Sequence, residues 1–210
     1  MPATGQRIVA ALLLIAVSPL LVVLAVAVRL TSRGPALHRA KRVGAGGTFT
    51  LYKFRTMRDG AGLGITASGD PRITRLGQAL RRTKLDELPQ LWNVVRGEML
   101  LVGPRPEDPH YVDWSDPLHR EVFGAKPGIT GATAVAYRNE ERTLAVEARR
   151  IAAERGGPTT DDDVDRAYRE VILPRKLAMD AEYLRTRTAR GDLVILGRTI
   201  SQVLRRNGGP

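Results

Sequence analysis

Asp86 and Glu87 stand side by side in a run, residues 81–106, that also carries Arg81, Arg82, Lys84 and Arg105. Leu88, Leu91, Trp92 and Val95 recur at helical spacing, Pro89 suits a first turn and Gly97 suits a stop. The spacing predicts a helix with the acid pair at or near its start. A helix N-terminus presents partial positive charge and unpaired N–H groups, which favour carboxylates and attract phosphate. Two acids among basic residues suit phosphoryl transfer: one carboxylate attacks phosphorus while its neighbour holds a divalent cation. Taken alone, an Asp-Glu pair reads more often as first-turn helix acids paired with nearby arginines.

The elements that must position this pair begin with an apolar stretch. Residues 8–28 are almost unbroken in apolar character, long enough as a straight helix to cross a hydrocarbon core of about 30 Å. Ser18-Pro19 interrupts them, and a proline without an N–H predicts a kink there, which permits a helix-break-helix hairpin. Each half would reach roughly 15 to 16 Å, about halfway across. Arg7 precedes the stretch, and Arg29, Arg33, Arg39, Lys41 and Arg42 follow it. Positive charge prefers the cytoplasmic side, so basic flanks at both ends favour re-entry through one face. A kinked single-pass anchor stays open, because proline is tolerated in spanning helices. The apolar core exceeds the about 7 to 15 residues of a signal-peptide core and lacks a cleavage site.

Beyond Gly34 the chain is polar and punctuated. Residues 48–54 read as a strand that delivers Lys53 and Arg55, a pair that by itself would be solvated surface charge. Residues 59–69 read as a glycine-rich mobile loop. Asp70-Pro71 starts a turn, and Ile73, Leu76, Ala79 and Leu80 predict a short amphipathic helix carrying Arg81 toward the acids. Gly103-Pro104-Arg105-Pro106 is stiffened by its prolines, so Arg105 could clamp a diphosphate, although Pro-Arg-Pro alone reads as a spacer. Residues 127–131 predict a second rigid turn whose glycines admit a ligand closely. Residues 140–154 predict a helix. Thr160 starts another, with Asp161, Asp162 and Asp163 as capping and surface acids. Residues 164–188 predict a helix broken at Pro174. Residues 193–204, with Arg198, Arg205 and Arg206, predict an amphipathic helix for a membrane surface or for the core. The tail at 208–210 is expected to fray.

The composition is compatible with this reading. With 33 basic against 22 acidic residues and a net charge of +11, the 210-residue chain should seek polyanions or an anionic membrane. Nucleic acid is disfavoured as a partner, because aromatic residues are 5% of the chain, the arginines are scattered and no recognition motif is present. The absence of cysteine excludes disulfides, thiol nucleophiles and thiolate metal sites. His38, His110 and His119 are too dispersed for a zinc cluster.

The run LDELPQLWNVVRGEM followed by LVGPRPE resembles the signature block of the bacterial sugar transferases, the monotopic polyprenyl-phosphate phosphoglycosyl transferases. Lys53-Phe54-Arg55-Thr56-Met57, Asp70-Pro71-Arg72-Ile73-Thr74 and Lys126-Pro127-Gly128-Ile129-Thr130-Gly131 extend the resemblance over most of the chain. It implies an α+β, predominantly helical fold. A re-entrant membrane helix-break-helix would occupy residues 1–33. A compact catalytic domain with short strands and amphipathic interfacial helices would occupy 34–210, on the cytoplasmic face of a bacterial inner membrane.

The implied reaction moves a phosphosugar from a UDP-sugar to polyprenyl (undecaprenyl) phosphate and releases UMP, initiating membrane glycoconjugate assembly. Asp86 would be the nucleophile, Glu87 the ligand of Mg2+, and Lys53, Arg55, Arg81, Arg105 and Arg138 would bind substrate phosphates. Two departures stand out. Ala132, Ala134 and Ala136 occupy positions where many members carry Trp, Gln and Asn, and the stretch GATAVAYRNEE is similar to a subgroup. Lys84 stands where serine is common. Direct transfer in a ternary complex and a non-catalytic scaffold are the rival readings. The sugar, the glycan and a homodimeric state stay open.

Overall fold

The computed structural model describes residues 3–58 and 69–204. Residues 59–68 of the expected mobile loop, together with Arg205, Arg206 and the tail at 208–210, lie outside them. The architecture is predominantly helical, with two small two-stranded sheets.

Helix α1, Ala3–Thr31, runs through Pro19 as one element instead of breaking at Ser18-Pro19. Proline leaves the carbonyl four residues back without its helical donor, and here that carbonyl belongs to Ile15. The Ser18 hydroxyl donates to Ile15 O at 2.8 Å and satisfies it, so the helical turn survives. Both ends of α1 rest on the remainder of the protein. Near the start, Arg7 Nε donates to Val95 O (2.9 Å) and Gln6 Oε1 accepts from Leu101 N (2.9 Å). Near the end, Val28 packs with Phe54 and Leu80. Ile8, Leu12, Ile15, Val22, Val23 and Leu30 face outward. By length and composition α1 could cross a membrane, and its most apolar stretch is hardly buried.

Strands β1, Leu37–Gly44, and β2, Gly47–Phe54, form an antiparallel hairpin with His38 opposite Lys53. The strand expected over 48–54 is β2. Helix α2, Arg75–Thr83, is the predicted carrier of Arg81, and α3, Gln90–Arg96, ends at Gly97 as its spacing requires. Strand β3, Leu100–Val102, pairs in parallel with β4, Gly128–Thr130, so the segment expected to be a rigid turn is largely strand. Helix α4, Pro117–Gly124, links them, and the short α5, Ala132–Ala136, follows.

Helix α6, Glu140–Arg155, matches the helix expected over 140–154, and α7, Asp161–Ala167, begins at its predicted cap. Thr160 accepts from Asp163 N, and Asp163 returns the bond to Thr160 N, closing a capping box. The break expected at Pro174 does not occur. A wide π-helical turn, Tyr168–Ile172, joins α7 to α8, Leu173–Thr186. Its extra residue lets the chain pass a nitrogen that has no hydrogen without leaving the helix. Tyr168, Ile172, Leu173 and Leu177 then fill the core against Leu144, Ala148 and Ile151 of α6. Helix α9, Ala189–Leu204, is amphipathic, as its spacing predicts. Ile195 and Leu196 pack inward, whereas Leu193, Val194 and Ile200 are exposed.

Candidate active site

The first wall of the site is built on Thr56, just after β2. Helix α2 lies so close that a Cβ at Gly77 would fall 2.0 Å from Thr56 O, so only glycine fits there. Thr74 N donates to Thr56 O (3.0 Å), and the Thr74 hydroxyl caps α2 at Gly77 N (2.9 Å). One turn further on, Arg81 Nε donates to Thr56 Oγ1 at 2.8 Å, and its Nη1 pairs with Glu141 Oε1 at 2.5 Å.

Lys84 then reverses the chain in a left-handed conformation, with φ of 58°, and leads into a 3-10 turn, Leu85–Glu87. The acid pair therefore sits in a tight turn just ahead of α3 rather than in its first helical turn. Arg82, on the same helix as Arg81, is exposed.

The second wall is the loop that follows β3. Gly103 N donates to Thr130 O (2.9 Å) and Gly128 N to Pro104 O (2.9 Å). A Cβ at Gly128 would lie 2.1 Å from Gly103 N, and one at Gly131 2.1 Å from Gly103 O. These glycines were expected to admit a ligand. Instead they admit the Gly103-Pro104 backbone, and so seat Arg105. Arg105 Nη2 donates to Glu87 Oε1 at 2.8 Å, with Nη1 3.5 Å from Oε2, and Lys84 Nζ is 3.8 Å from Oε1.

The two acids are shifted in opposite directions. Burial alone would raise the Glu87 carboxyl, but Arg105, then Lys84 and Lys53, hold it down to about 2. Asp86 is pushed upward by burial and by the Glu87 charge, against the pull of Lys84, Lys53 and Arg81. Its Oδ1 is buried with no hydrogen-bond partner. A buried carboxylate oxygen without a donor is costly, and such orphans gather where chemistry is done. Lys53 is lowered to about 8 by burial and by Arg42, Arg81 and Arg105, while Asp86 opposes the shift. Lys53, Arg81 and Arg105 thus converge on the acid pair.

Arg55 and Arg138 are placed differently. Arg55 is buried and donates to Ser32 O (2.6 Å) and Ser32 Oγ (2.9 Å), fastening the end of α1 to the end of β2, with Nε and Nη1 left unpartnered. Arg138 lies half-buried in the turn between α5 and α6 and forms no ion pair among the described residues. No group of three or more His, Cys, Asp or Glu side chains suited to a metal occurs among the described residues. Magnesium rarely needs one, since one or two carboxylates plus substrate phosphates and water suffice. Glu87 beside the orphaned Asp86 Oδ1 fits that pattern.

Several residues around the site escaped the sequence reading. Asp180 accepts from Thr133 Oγ1 (3.1 Å) and from Arg105 N (3.4 Å). Lys176 Nζ donates to Glu140 Oε1 (3.0 Å) and Tyr168 OH (2.9 Å), and Tyr168 OH donates to Glu107 Oε2 (2.5 Å). The signal was present: Lys176 and Asp180 share the buried face of α8 with Leu173, Leu177 and Ala181. Charges in an apolar stripe need partners.

The sequence profile described as "Bacterial sugar transferase" matches residues 3–206. The chain is 37% identical over 204 residues to a Caulobacter vibrioides protein named UDP-glucose:undecaprenyl-phosphate glucose-1-phosphate transferase, covering 94% of this chain and 67% of that one. It is 38% identical to the undecaprenyl-phosphate glucose phosphotransferase of Komagataeibacter xylinus, covering 93% of this chain and 34% of the relative. A third relative is the UDP-N-acetylgalactosamine-undecaprenyl-phosphate N-acetylgalactosaminephosphotransferase of Aeromonas hydrophila, 40% identical over 63% of this chain and 33% of its own. The chain thus spans about a third of the length of two of these relatives. With the profile matching nearly its whole length, the chain belongs to the bacterial sugar transferase family.

Proposed function

We propose that this chain transfers a phosphosugar from a UDP-sugar to undecaprenyl phosphate, releasing UMP, through a covalent intermediate on Asp86, and so initiates a membrane glycoconjugate. The observation that carries this reading is the contrast within the acid pair: Glu87 is ionised and clamped by Arg105, and Asp86 Oδ1 is buried and unpartnered. In the first step an Asp86 oxygen attacks the β-phosphorus of the donor, and the bond from that phosphorus to the bridging oxygen breaks as UMP departs. In the second, an oxygen of the lipid phosphate attacks the same phosphorus and the aspartyl bond breaks, which restores the carboxylate. Lys53, Arg81, Arg105 and Arg138 would hold phosphate oxygens, and their charge counts most as negative charge builds on the leaving UMP. Glu87 would hold magnesium, which when bound neutralises charge on the donor phosphates. Arg55 instead secures α1, the role its contacts with Ser32 support.

The membrane helix fits a lipid acceptor. A polyprenyl phosphate cannot leave the bilayer cheaply, so its phosphate must be met at headgroup depth. Because both ends of α1 contact the catalytic domain, the helix cannot project straight away from it, and this supports a shallow placement; re-entry from the cytoplasmic face is the arrangement we propose. Cysteines at positions 3 and 33 of this cysteine-free chain should label from the same side of the membrane. Labelling from opposite sides would exclude re-entry.

The reaction is tested by UMP release from the protein in lipid nanodiscs with undecaprenyl phosphate, magnesium and a panel of UDP-sugars, and by intact mass without lipid acceptor. Release with one sugar, together with a phosphosugar adduct lost in Asp86→Asn, is the expected result. Turnover in Asp86→Asn, or turnover without an adduct, would favour direct transfer in a ternary complex. Silence with every donor would favour a non-catalytic chain.

A further inference from the structure

The two arginines nearest the acids come from elements far apart in sequence, Arg81 on α2 and Arg105 after β3. Their segments meet where Glu87, six residues after Arg81, takes Arg105, and binding one diphosphate with both arginines requires the distance between them to be fixed. The structure supplies a second connection through the start of α6. Glu141 takes Arg81 directly, at 2.5 Å. Its neighbour Glu140 points the other way and takes Lys176 Nζ at 3.0 Å.

Lys176 is the centre of the link. Its side chain is 7% exposed, and it reaches Tyr168 OH at 2.9 Å and Glu107 Oε2 at 3.6 Å. The phenol joins the same carboxylate at 2.5 Å. Glu107 is two residues past Arg105, and its backbone is held on β1 by Val43 N (2.8 Å). A continuous line of polar contacts therefore runs from Arg81 through Glu141, the α6 backbone, Glu140, Lys176, Tyr168 and Glu107 to the Arg105 loop. Glu87 takes Arg105, and the short stretch back to α2, which carries Asp86, closes the line into a ring. The wide turn before α8 matters here, because it carries Tyr168 and sets its register against Lys176 eight residues on.

We propose that Glu140 and Glu141 are positioning residues that hold Arg81 and Arg105 in register for the two phosphates of one diphosphate, with Lys176 and Tyr168 transmitting the constraint. The inference rests on the proposed reaction for its biological meaning, but the geometry it asserts can be read without turnover. Charges held by several partners, around the buried Lys176 and with Glu141 42% exposed, lose entropy once, at folding, so the arginines arrive at the ligand already spaced. Loss of the link should cost affinity for a ligand that spans both arginines and spare one that touches a single arginine.

The test is metal-free calorimetry with inorganic pyrophosphate and with inorganic phosphate, on the full chain in nanodiscs. Glu140→Gln/Glu141→Gln keeps the shape of both side chains and leaves Lys176 its Glu107 and Tyr168 partners, which protects the fold. Pyrophosphate should bind about tenfold more weakly, the scale expected when networked partners are uncoupled, with phosphate affinity within about twofold of wild type. Arg81→Ala and Arg105→Ala should couple in the wild-type background and act additively in the double-Gln background. Equal losses for both anions would mean general destabilisation and would overturn the proposal. So would unchanged affinity, tighter pyrophosphate binding, which would make Glu141 a competitor for Arg81, or a wild type that prefers phosphate. If the uncoupling is seen while wild-type UMP release is absent, the register stands and the proposed reaction fails.

Discussion

Arg105 Nη2 lies 2.8 Å from Glu87 Oε1, while one residue away Asp86 Oδ1 is buried without a donor. Two acids adjacent in sequence are thereby given unequal environments by a single loop. A carboxylate engaged by a guanidinium on both oxygens is weakened as a nucleophile but well placed to hold charge. A desolvated carboxylate oxygen with no donor keeps its lone pairs for an incoming centre.

Removing the two acids should therefore give different results. Asp86→Asn is expected to lower UMP release at least about a thousandfold, as loss of a covalent nucleophile does. It should leave the melting temperature unchanged or higher, because a buried, unpartnered charge disappears. Glu87→Gln should lower the melting temperature, since Arg105 loses its ionised partner, at a cost of up to about 3 kcal/mol. Thermal scans of both variants beside the release assay check this, and a destabilised Asp86→Asn would contradict the division of roles.

Lys53 should show a trade between stability and binding. Its folded value of about 8 lies below its ordinary 10.5, so between those two values the unfolded chain binds more protons than the folded one. Stability should then rise with pH from about 8 to about 10.5, and charging Lys53 in the empty site is a penalty fully present below pH 8. Lys53→Met should raise the melting temperature at neutral pH, by about 2–4 °C for each kcal/mol recovered, and flatten the alkaline rise. The same variant should weaken donor or pyrophosphate binding by about tenfold or more through loss of a charged hydrogen bond.

Gly131→Ala probes the seat of Arg105. A methyl group 2.1 Å from Gly103 O must push β3 and β4 apart, an overpacking that costs about 1–3 kcal/mol. The expected outcome is a lower melting temperature together with a loss of donor affinity beyond what the remaining folded fraction explains. Normal affinity in the folded fraction would show that the Arg105 loop keeps its place without this contact.

Arg55 should separate from Lys53, although the two lie in one pentapeptide. Its Nη2 is held by Ser32 at the end of α1. Arg55→Met is expected to change pyrophosphate affinity less than about twofold while amide exchange rises around residues 31–34, where charge-assisted bonds of about 1.5–3 kcal/mol have been removed. A pyrophosphate defect as large as that of Lys53→Met would return Arg55 to the phosphate site.

What could be read from the residues in order was whatever depends on neighbours within a few positions. The apolar length of α1, the stop at Gly97, the Thr160 cap, the strand carrying Lys53 and the helix carrying Arg81 are all of that kind, because helix and strand periods and caps are local physics. The acid pair and the nearby Arg81 were legible for the same reason.

Tertiary structure alone decided the rest. Proline predicted breaks at Pro19 and Pro174, yet a serine hydroxyl on Ile15 O and a wide turn before α8 accommodated each one, and neither remedy follows from periodicity. The glycines at 128 and 131 signalled close approach but not of what, because the partner, Gly103, lies across a parallel strand pair. The sequence could mark Asp86 and Glu87 as equals. Only the fold could bring Arg105 to one of them and no donor to the other, because that difference depends on long-range contacts that no local pattern encodes.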